Sequence, residues 1–251
     1  MLNHLYFTAG LAICVAAGAS CTQSDLKKIG KVVEASTQTL APTQGESIKA
    51  TKQAIEEGVK FGVNSLGSTD GFLKSSFRLA APAELQNAMK FARKSGLGKY
   101  ADQFELSLNR AAEQASAAAT PVFMDAIKEM TVVDVVDILK GPKDAATQYF
   151  QRKSTNKLQQ TFTPIVAKAT AKTEVSKYYK QLAVPLAPLA KLAGVEIPTV
   201  SIEEYVTNEA ISALFTKIAS EEAKIRENPA ERTTAILKKV FSYYDKDNKK
   251  S

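Results

Sequence analysis

Residues 99–119 read KYADQFELSLNRAAEQASAAA and carry a clear helical pattern. Apolar side chains recur there every three or four residues, so they lie on one face of an α-helix. The members of this stripe are Tyr100, Phe104, Leu108, Ala111 and Ala115. The alanine-rich end favours a close approach to a neighbouring helix. These residues predict a long helix with one buried face.

Start and stop signals for helices recur along the rest of the chain. Residues 43–46, 201–204 and 228–231 each match a capping box, in which two side chains cover free backbone amides at a helix start. The last of these boxes is predicted to open the final helix, and Gly67 to end the first one in a left-handed turn. No two segments alternate as paired strands do. The sequence therefore predicts an all-α fold, a single domain of roughly eight to ten helices after an N-terminal signal segment.

Three prolines lie within otherwise helical segments. Proline lacks an amide donor and clashes with the preceding turn, so Pro164, Pro185 and Pro188 are expected to kink or interrupt helices. Residues 195–200 alternate like a strand, yet a proline and the lack of a partner strand favour an extended loop. The stretch 185–200 is therefore the best candidate for an internal hinge.

The first 21 residues predict export from the cytoplasm. An almost unbroken apolar run from Leu5 to Ala17 is shorter than the ~20 residues that a membrane-spanning helix needs. Small residues then lead to Cys21. Two processing events fit this layout: cleavage after an A-x-A site at residues 17–19, or lipidation of Cys21 in a lipobox at residues 18–21. We favour the lipoprotein, with a soluble periplasmic protein as the alternative and an uncleaved anchor last.

These features divide the chain into four parts. Residues 1–20 are the signal peptide, 21–45 a tether rich in Ser, Thr and Gln, 46–244 the helical domain and 245–251 a charged tail. The expected location is the periplasmic side of the cell envelope. The membrane is then a partner through lipidated Cys21.

The positions of cysteine and histidine exclude several kinds of chemistry. Both cysteines, Cys14 and Cys21, and the single histidine, His4, lie in the first 21 residues. A chain that starts near Cys21 has no imidazole base, no histidine metal ligand and no partner for a disulfide. Only oxygen ligands remain, and no clustered acidic loop accompanies them. We therefore expect no metal and no cofactor.

The charge balance of the chain is basic, with 33 Lys and Arg against 26 Asp and Glu, a net charge of +7. A basic surface attracts anionic headgroups, polysaccharide or nucleic acid. The basic residues look dispersed, and no basic strand interleaved with aromatic residues occurs, so a solubilising surface is the simplest interpretation. Export argues further against nucleic acid, and we expect no nucleic-acid partner.

Several polar side chains lie one helical turn apart. Glu105, Asn109 and Glu113 share a face of the 99–119 helix, where two carboxylates could act as acid and base or bind a metal. Glu222 and Arg226 fit a helix-surface ion pair worth ~0.2–0.5 kcal/mol. For all these groups we favour a structural role, either as a helix cap or as a clasp, by which we mean a polar side chain that binds one helix to another part of the fold. A ligand site is the alternative. The ligand-or-clasp candidates are Glu105, Asn109, Arg110, Glu113, Asp144, Gln148, Arg226 and Arg232.

Motifs of the common catalytic classes do not stand out. The chain has no Gly-x-Ser-x-Gly elbow and no phosphate-binding glycine loop. Residues 154–157, Ser-Thr-Asn-Lys, are not interpreted as a Ser-x-x-Lys nucleophile. We therefore expect a protein that is not an enzyme.

Four segments of the chain resemble a bacterial family. They are FELSLNRAAE at 104–113, LKGPKDAATQYF at 139–150, YYKQL at 178–182 and IRENPAERTT at 225–234. Together they are similar to the bacterial domain-of-unknown-function family 4197, and the resemblance runs from about residue 48 to residue 241. It implies an exported, helical envelope protein, with no established activity or catalytic residues.

Three functional hypotheses remain open from the sequence. The leading one is a non-enzymatic envelope module that binds a partner protein or an apolar or anionic, lipid-like ligand between its helices. A structural envelope protein without a ligand site is the first alternative. A hydrolase of envelope polymers that depends on carboxylates is the second.

Overall fold

The fold is that of a computed structural model, which describes residues 41–172, 175–195 and 200–248. All regular structure in these ranges is helical, so the prediction of a single all-α domain is confirmed. The α-helices are α1 Gln44–Gly67, α2 Gln86–Lys94, α3 Gly98–Ala117, α4 Thr120–Glu129, α5 Val132–Lys140, α6 Ala145–Lys172, α7 Val175–Leu192, α8 Ile202–Glu227 and α9 Ala235–Asn248. Short 3-10 helices at Ala83–Leu85 and Pro229–Glu231 precede α2 and α9.

Helix α3 lies at the centre of the domain. It packs against α1, α2, α6, α7 and α8, and α8 also packs along α1 and α6. Phe104, Leu108, Ala111 and Ala115 are fully buried, as the stripe predicts. Tyr100 differs, with 37% of its surface exposed, because it lies in the first turn of α3 at the edge of the core.

An aromatic cluster joins three further helices. The ring of Phe123 on α4 meets Phe150 of α6 with centroids 6.4 Å apart and Phe215 of α8 with centroids 5.7 Å apart, both edge-on. All three rings are buried. Burying one such side chain stabilises a fold by about 1.5–3 kcal/mol, so this cluster fixes α4 against α6 and α8.

The prolines inside the helices do not interrupt them. Pro164 lies within the 28 residues of α6, and Pro185 and Pro188 lie within α7. Each removes one backbone hydrogen bond. Apolar side chains stay buried on either side of these positions, for example Leu186 between the two prolines of α7, and this burial offsets the loss. The predicted interruption of α7 is therefore wrong, while residues 196–199 of the predicted loop lie outside the described residues.

The predicted capping boxes have different outcomes. The box at residues 43–46 is complete, with backbone N–H groups donating to side-chain oxygens over 2.8 and 3.2 Å. At residues 201–204 the serine hydroxyl accepts from the third amide over 3.3 Å. Asn228 caps the short 3-10 helix and does not open α9, which begins at Ala235. The prediction fails there because Arg232 takes an extended conformation between the two helices.

Gly67 allows α1 and α3 to cross at close range. A Cβ atom on this residue would lie 2.8 Å from the Cα atom and 2.9 Å from the backbone nitrogen of Ala117. Gly67 itself does not have a positive φ, whereas Asp70, three residues later, has a φ of 68°. The predicted left-handed turn at Gly67 is therefore wrong, and the glycine is needed for the approach of two backbones.

We expect Gly67→Ala to lower the free energy of unfolding by about 1–3 kcal/mol, because its new methyl group meets backbone atoms that cannot rotate away. Gly45→Ala is the matched control, since a Cβ there meets nothing within 4 Å. In a helix this control is expected to gain about 0.5–1 kcal/mol. Urea denaturation of both variants measures the difference, and equal midpoints would contradict the close crossing.

Candidate functional site

The polar residues of α3 bind the backbone of the loop between α1 and α2. The carboxylate of Glu113 accepts hydrogen bonds from the backbone N–H groups of Phe72, over 3.2 Å, and Leu73, over 3.4 Å. One turn earlier, the amide of Asn109 accepts from the N–H of Leu79 over 2.9 Å and donates to its carbonyl over 2.8 Å. These two α3 side chains therefore replace the partners that the buried loop backbone lacks.

Glu105 completes this row one further turn back along α3. Its Oε1 atom lies 3.5 Å from the backbone nitrogen of Ala81, and its Oε2 atom pairs with Arg93 over 3.1 Å and with Arg78 over 3.7 Å. Its side chain is 10% exposed. The three candidates predicted on one face of α3 thus all contact the same loop.

Arg110 connects the loop to the same helix through charges. Its guanidinium donates to Glu113 over 2.7 Å and to Asp70 over 2.7 Å. Asp70 also pairs with Lys74 over 2.7 Å. The hydrogen bonds from Lys74 and Arg110 hold the pKa of Asp70 below its usual value, and those to Glu113 and Asp70 raise the pKa of Arg110. Asp70 is the residue with a positive φ, so these charges fix an uncommon backbone conformation.

A second cluster joins the ends of three helices. Glu222 of α8 accepts from the backbone N–H groups of Ala146 and Thr147, each over 2.9 Å, and so caps the start of α6. Arg226, one turn on, donates to Glu222 over 3.0 Å and to the carbonyl of Ile138 in the last turn of α5 over 2.7 Å. Both side chains are 10% exposed. The interpretation as a helix-surface pair is therefore wrong.

Arg232 is the most deeply buried charged residue among those described, with 1% of its surface exposed. It donates to the carbonyls of Ile225 over 2.9 Å and Arg226 over 2.8 Å at the end of α8. On α9 it binds Ser242 over 3.1 Å and Asp245 over 2.6 Å. Asp245 belongs to the predicted tail, yet α9 continues through it, because its carboxylate neutralises the buried guanidinium.

Asp144 and Gln148 do not join either cluster. The Gln148 amide donates to the Asp144 carboxylate over 3.0 Å at the surface. Gln148 also lines a polar cleft between α5 and α6, where the Tyr149 hydroxyl donates to Asp134 over 3.2 Å. Burial and the charge of Asp134 raise the pKa of Tyr149 to about 12, so the phenol stays protonated at neutral pH.

Residues 154–157 have the Ser-x-x-Lys spacing, and the Ser154 hydroxyl is buried with no hydrogen-bond partner among the described residues. Lys157, however, is exposed, and its Nζ lies 3.9 Å from Asp125. A lysine engaged at the surface does not act as the base of a buried serine.

A small cavity between α1, α6 and α8 is lined by Thr51, Phe150, Ile218 and Arg226 and has a volume of about 20 Å³. That volume holds about one water molecule. The Thr51 hydroxyl beside it is buried without a protein partner. This cavity is therefore too small for an organic ligand.

The exposed side of α7 combines apolar side chains with lysines. Val184 is 72% exposed and Leu192 88% exposed, and Lys180, Pro188 and Lys191 are exposed beside them. We call these five residues the α7 face. None of the helices within the described ranges combines the length and the apolar character that crossing a bilayer requires.

The net charge of the chain is concentrated in the same region. Residues 145–195, which include α6 and α7, contain eight Lys and Arg and one Glu. This segment carries the whole net charge of +7, and the rest of the chain is balanced. The excess arises because this segment contains a single carboxylate, while the basic residues themselves are spread along the chain. Among the described residues no group of three or more carboxylate, histidine or cysteine side chains is arranged to hold a metal ion.

Arg→Ala substitutions test whether the arginines act as clasps. Arg232→Ala is expected to cost about 3–5 kcal/mol, because it leaves Asp245 and two carbonyls without a partner. Arg110→Ala is expected to lower the free energy of unfolding by only about 1–3 kcal/mol, because the Arg110 side chain is 30% exposed. The exposed Arg152 serves as the control and is expected to change stability by less than about 0.5 kcal/mol. Urea denaturation gives the order. Unchanged stability for Arg110→Ala and Arg232→Ala would contradict the clasps, and an envelope phenotype lost with it would indicate a ligand site.

Comparison with known families gives a match over most of the chain. The model of the family described as "Protein of unknown function (DUF4197)" matches residues 41–242. That range contains all eight ligand-or-clasp candidates and all of α1 to α8. Comparisons with curated proteins and with solved structures give no significant match. The chain therefore belongs to the DUF4197 family of proteins of unknown function.

Proposed function

We propose that this protein is an exported helical module of the cell envelope that binds a partner through the α7 face and does not catalyse a reaction. The observation that carries the proposal is the α7 face itself. Apolar side chains such as Val184 and Leu192 lie in water there, on a helix whose charged residues are all lysines. Exposed apolar surface rimmed by polar residues is typical of interaction sites.

The buried carboxylates support binding over catalysis. Glu105, Glu113 and Glu222 each accept hydrogen bonds from backbone N–H groups that have no other partner. A general acid or base has to exchange its proton with a substrate, and these carboxylates are held in contacts that stabilise the fold. The Tyr205 hydroxyl likewise donates to the carbonyl of Ala80, and burial raises its pKa to about 12.

The location rests on the N-terminal sequence. Residues 5–17 are apolar, small residues follow, and Cys21 stands where a lipidated cysteine would stand. A lipid on Cys21 would place the helical domain beside a membrane on the periplasmic side of the envelope. Soluble periplasmic export remains the alternative.

The second candidate function is a structural envelope protein without a ligand site. The clasps favour it, because Asn109, Arg226 and Arg232 use their polar groups to hold helices and loops together. The α7 face favours binding, since the exposed side chains of Val184 and Leu192 add little to the stability of the domain itself. A carboxylate-dependent hydrolase is third.

Cys21→Ser tests the anchor. The unmodified chain is expected in the membrane fraction of cells that express it, because acyl chains add membrane affinity through buried methylene groups. The variant is expected to shift to the soluble periplasmic fraction. Cys14→Ser is the matched control and should fractionate like the wild type. Equal distribution of wild type and Cys21→Ser would exclude the lipoprotein.

Photo-crosslinking tests binding at the α7 face. A photoreactive amino acid at Val184 is expected to form a covalent adduct with a partner upon illumination of intact cells. The same residue at Val133 on α5, which is 69% exposed, is the control and should form none. The proposed function fails if position 184 gives no adduct with either protein or lipid, or gives the same adducts as position 133.

A further inference from the structure

We propose that the partner of the α7 face is the surface of an anionic phospholipid bilayer, on which α7 lies with its axis along the membrane. The proposal rests on the proposed function in one respect, that the α7 face is a binding surface. It adds the chemistry of the partner: negatively charged headgroups above a hydrocarbon layer.

The inner side of α7 fixes the direction in which its outer side faces. Leu182, Leu186 and Ala190 are at most 3% exposed and pack into the domain. The ring of Tyr179 lies against that of Phe104 of α3, tilted by 45° with the centroids 5.8 Å apart. Because side chains three and four residues apart share a side of a helix, this buried row leaves the opposite side free.

The free side presents lysine and apolar side chains together. Lys180 and Val184 are one turn apart, and Pro188 and Leu192 follow at the same spacing, with Lys191 next to Leu192. Helices that lie in a membrane interface have this composition, with lysines at the headgroups and leucine or valine in the acyl boundary. The exposed apolar side chains are therefore placed beside the charges that would attract anionic lipid.

Some lysines on the described helices form ion pairs and others do not. Lys60 pairs with Glu56 over 2.6 Å, and Lys224 with Glu221 over 2.7 Å. By contrast, Lys180 and Lys191 form no ion pair with a described residue, and neither do the exposed Lys168 and Lys172 in the last turns of α6. Their charges are available to an external anion.

The shape of the α7 face favours a bilayer over a folded protein. The side chains of Val184 and Leu192 are 72% and 88% exposed, so a protein partner would need matching pockets for them. A fluid acyl boundary accepts protruding side chains without such a match. A polyanion alone would bind the lysines and leave the apolar side chains in water. The bilayer is the partner that accommodates both.

The first experiment uses tryptophan as a reporter, because the chain has none of its own. Leu192→Trp in the full-length Cys21→Ser chain, purified from the host that exports it, is mixed with vesicles of phosphatidylglycerol and phosphatidylcholine. We expect a blue shift of its emission and quenching by brominated acyl chains. Val133→Trp, the control at an exposed position on α5, should show neither. Identical spectra for the two variants would overturn the proposal.

The second experiment separates the contribution of the charges. Lys180→Gln combined with Lys191→Gln is expected to weaken partitioning into the same vesicles by about 25-fold, at about fivefold for each lysine. Lys49→Gln combined with Lys238→Gln removes the same charge from exposed positions on α1 and α9 and should change it less than about twofold. Equal losses for the two pairs would show attraction by net charge alone and overturn the proposal.

Salt and lipid composition complete the test. Binding should disappear with pure phosphatidylcholine and weaken in 1 M salt, where the Debye length falls to about 3 Å. Absence of binding to anionic vesicles overturns the bilayer proposal. If position 184 still crosslinks to a protein in cells, the proposed binding function stands and only the identity of the partner changes. If neither vesicles nor crosslinks are found, both proposals fail.

Discussion

Buried backbone groups that lie outside regular helices impose the main constraint on this fold. The loop between α1 and α2 runs across α3, and its N–H groups at Phe72, Leu79 and Ala81 are turned away from water. Leaving such groups unpaired costs about 1–3 kcal/mol each. Helix α3 therefore carries polar side chains on a side that is otherwise apolar. This loop begins directly after Gly67, where α1 and α3 cross closely, and the crossing depends on the hydrogen bonds that fix the loop to α3.

The same constraint acts where helices end inside the domain. The first amides of α6 and the last carbonyls of α5 and α8 need partners, and long side chains from α8 and the segment after it supply them. Glu222 and Arg226 form one unit that contacts both α5 and α6. The buried charged side chains of this protein therefore mainly form hydrogen bonds with backbone groups. By contrast, lysines that form no ion pair with a described residue are exposed to solvent on α6 and α7, at Lys168, Lys172, Lys180 and Lys191.

The sequence predicts those features that depend on neighbours along one helix. The stripe containing Phe104 and Leu108, the box at residues 43–46 and the row containing Asn109 are local patterns, and the structure contains them. The partners of Glu222 lie about 75 residues away, and no spacing rule connects them. The role of Gly67 cannot be predicted from its neighbours either, because it depends on the backbone of Ala117 at the end of another helix. The net positive charge of residues 145–195 can be counted from the sequence, but the helix bounds are needed to see that it lies on α6 and α7.

Arg232 also makes the C-terminal part of the domain a cooperative unit. Its guanidinium binds carbonyls of α8 and side chains of α9 at once, and it lies almost entirely out of water. Detaching α9 would leave a buried cation facing only carbonyl dipoles, so α9 cannot separate while the end of α8 stays intact. Local opening of this region therefore involves both helices together, and their amide hydrogens exchange with solvent through one shared event. We therefore expect the described part of α9 to open as slowly as α8.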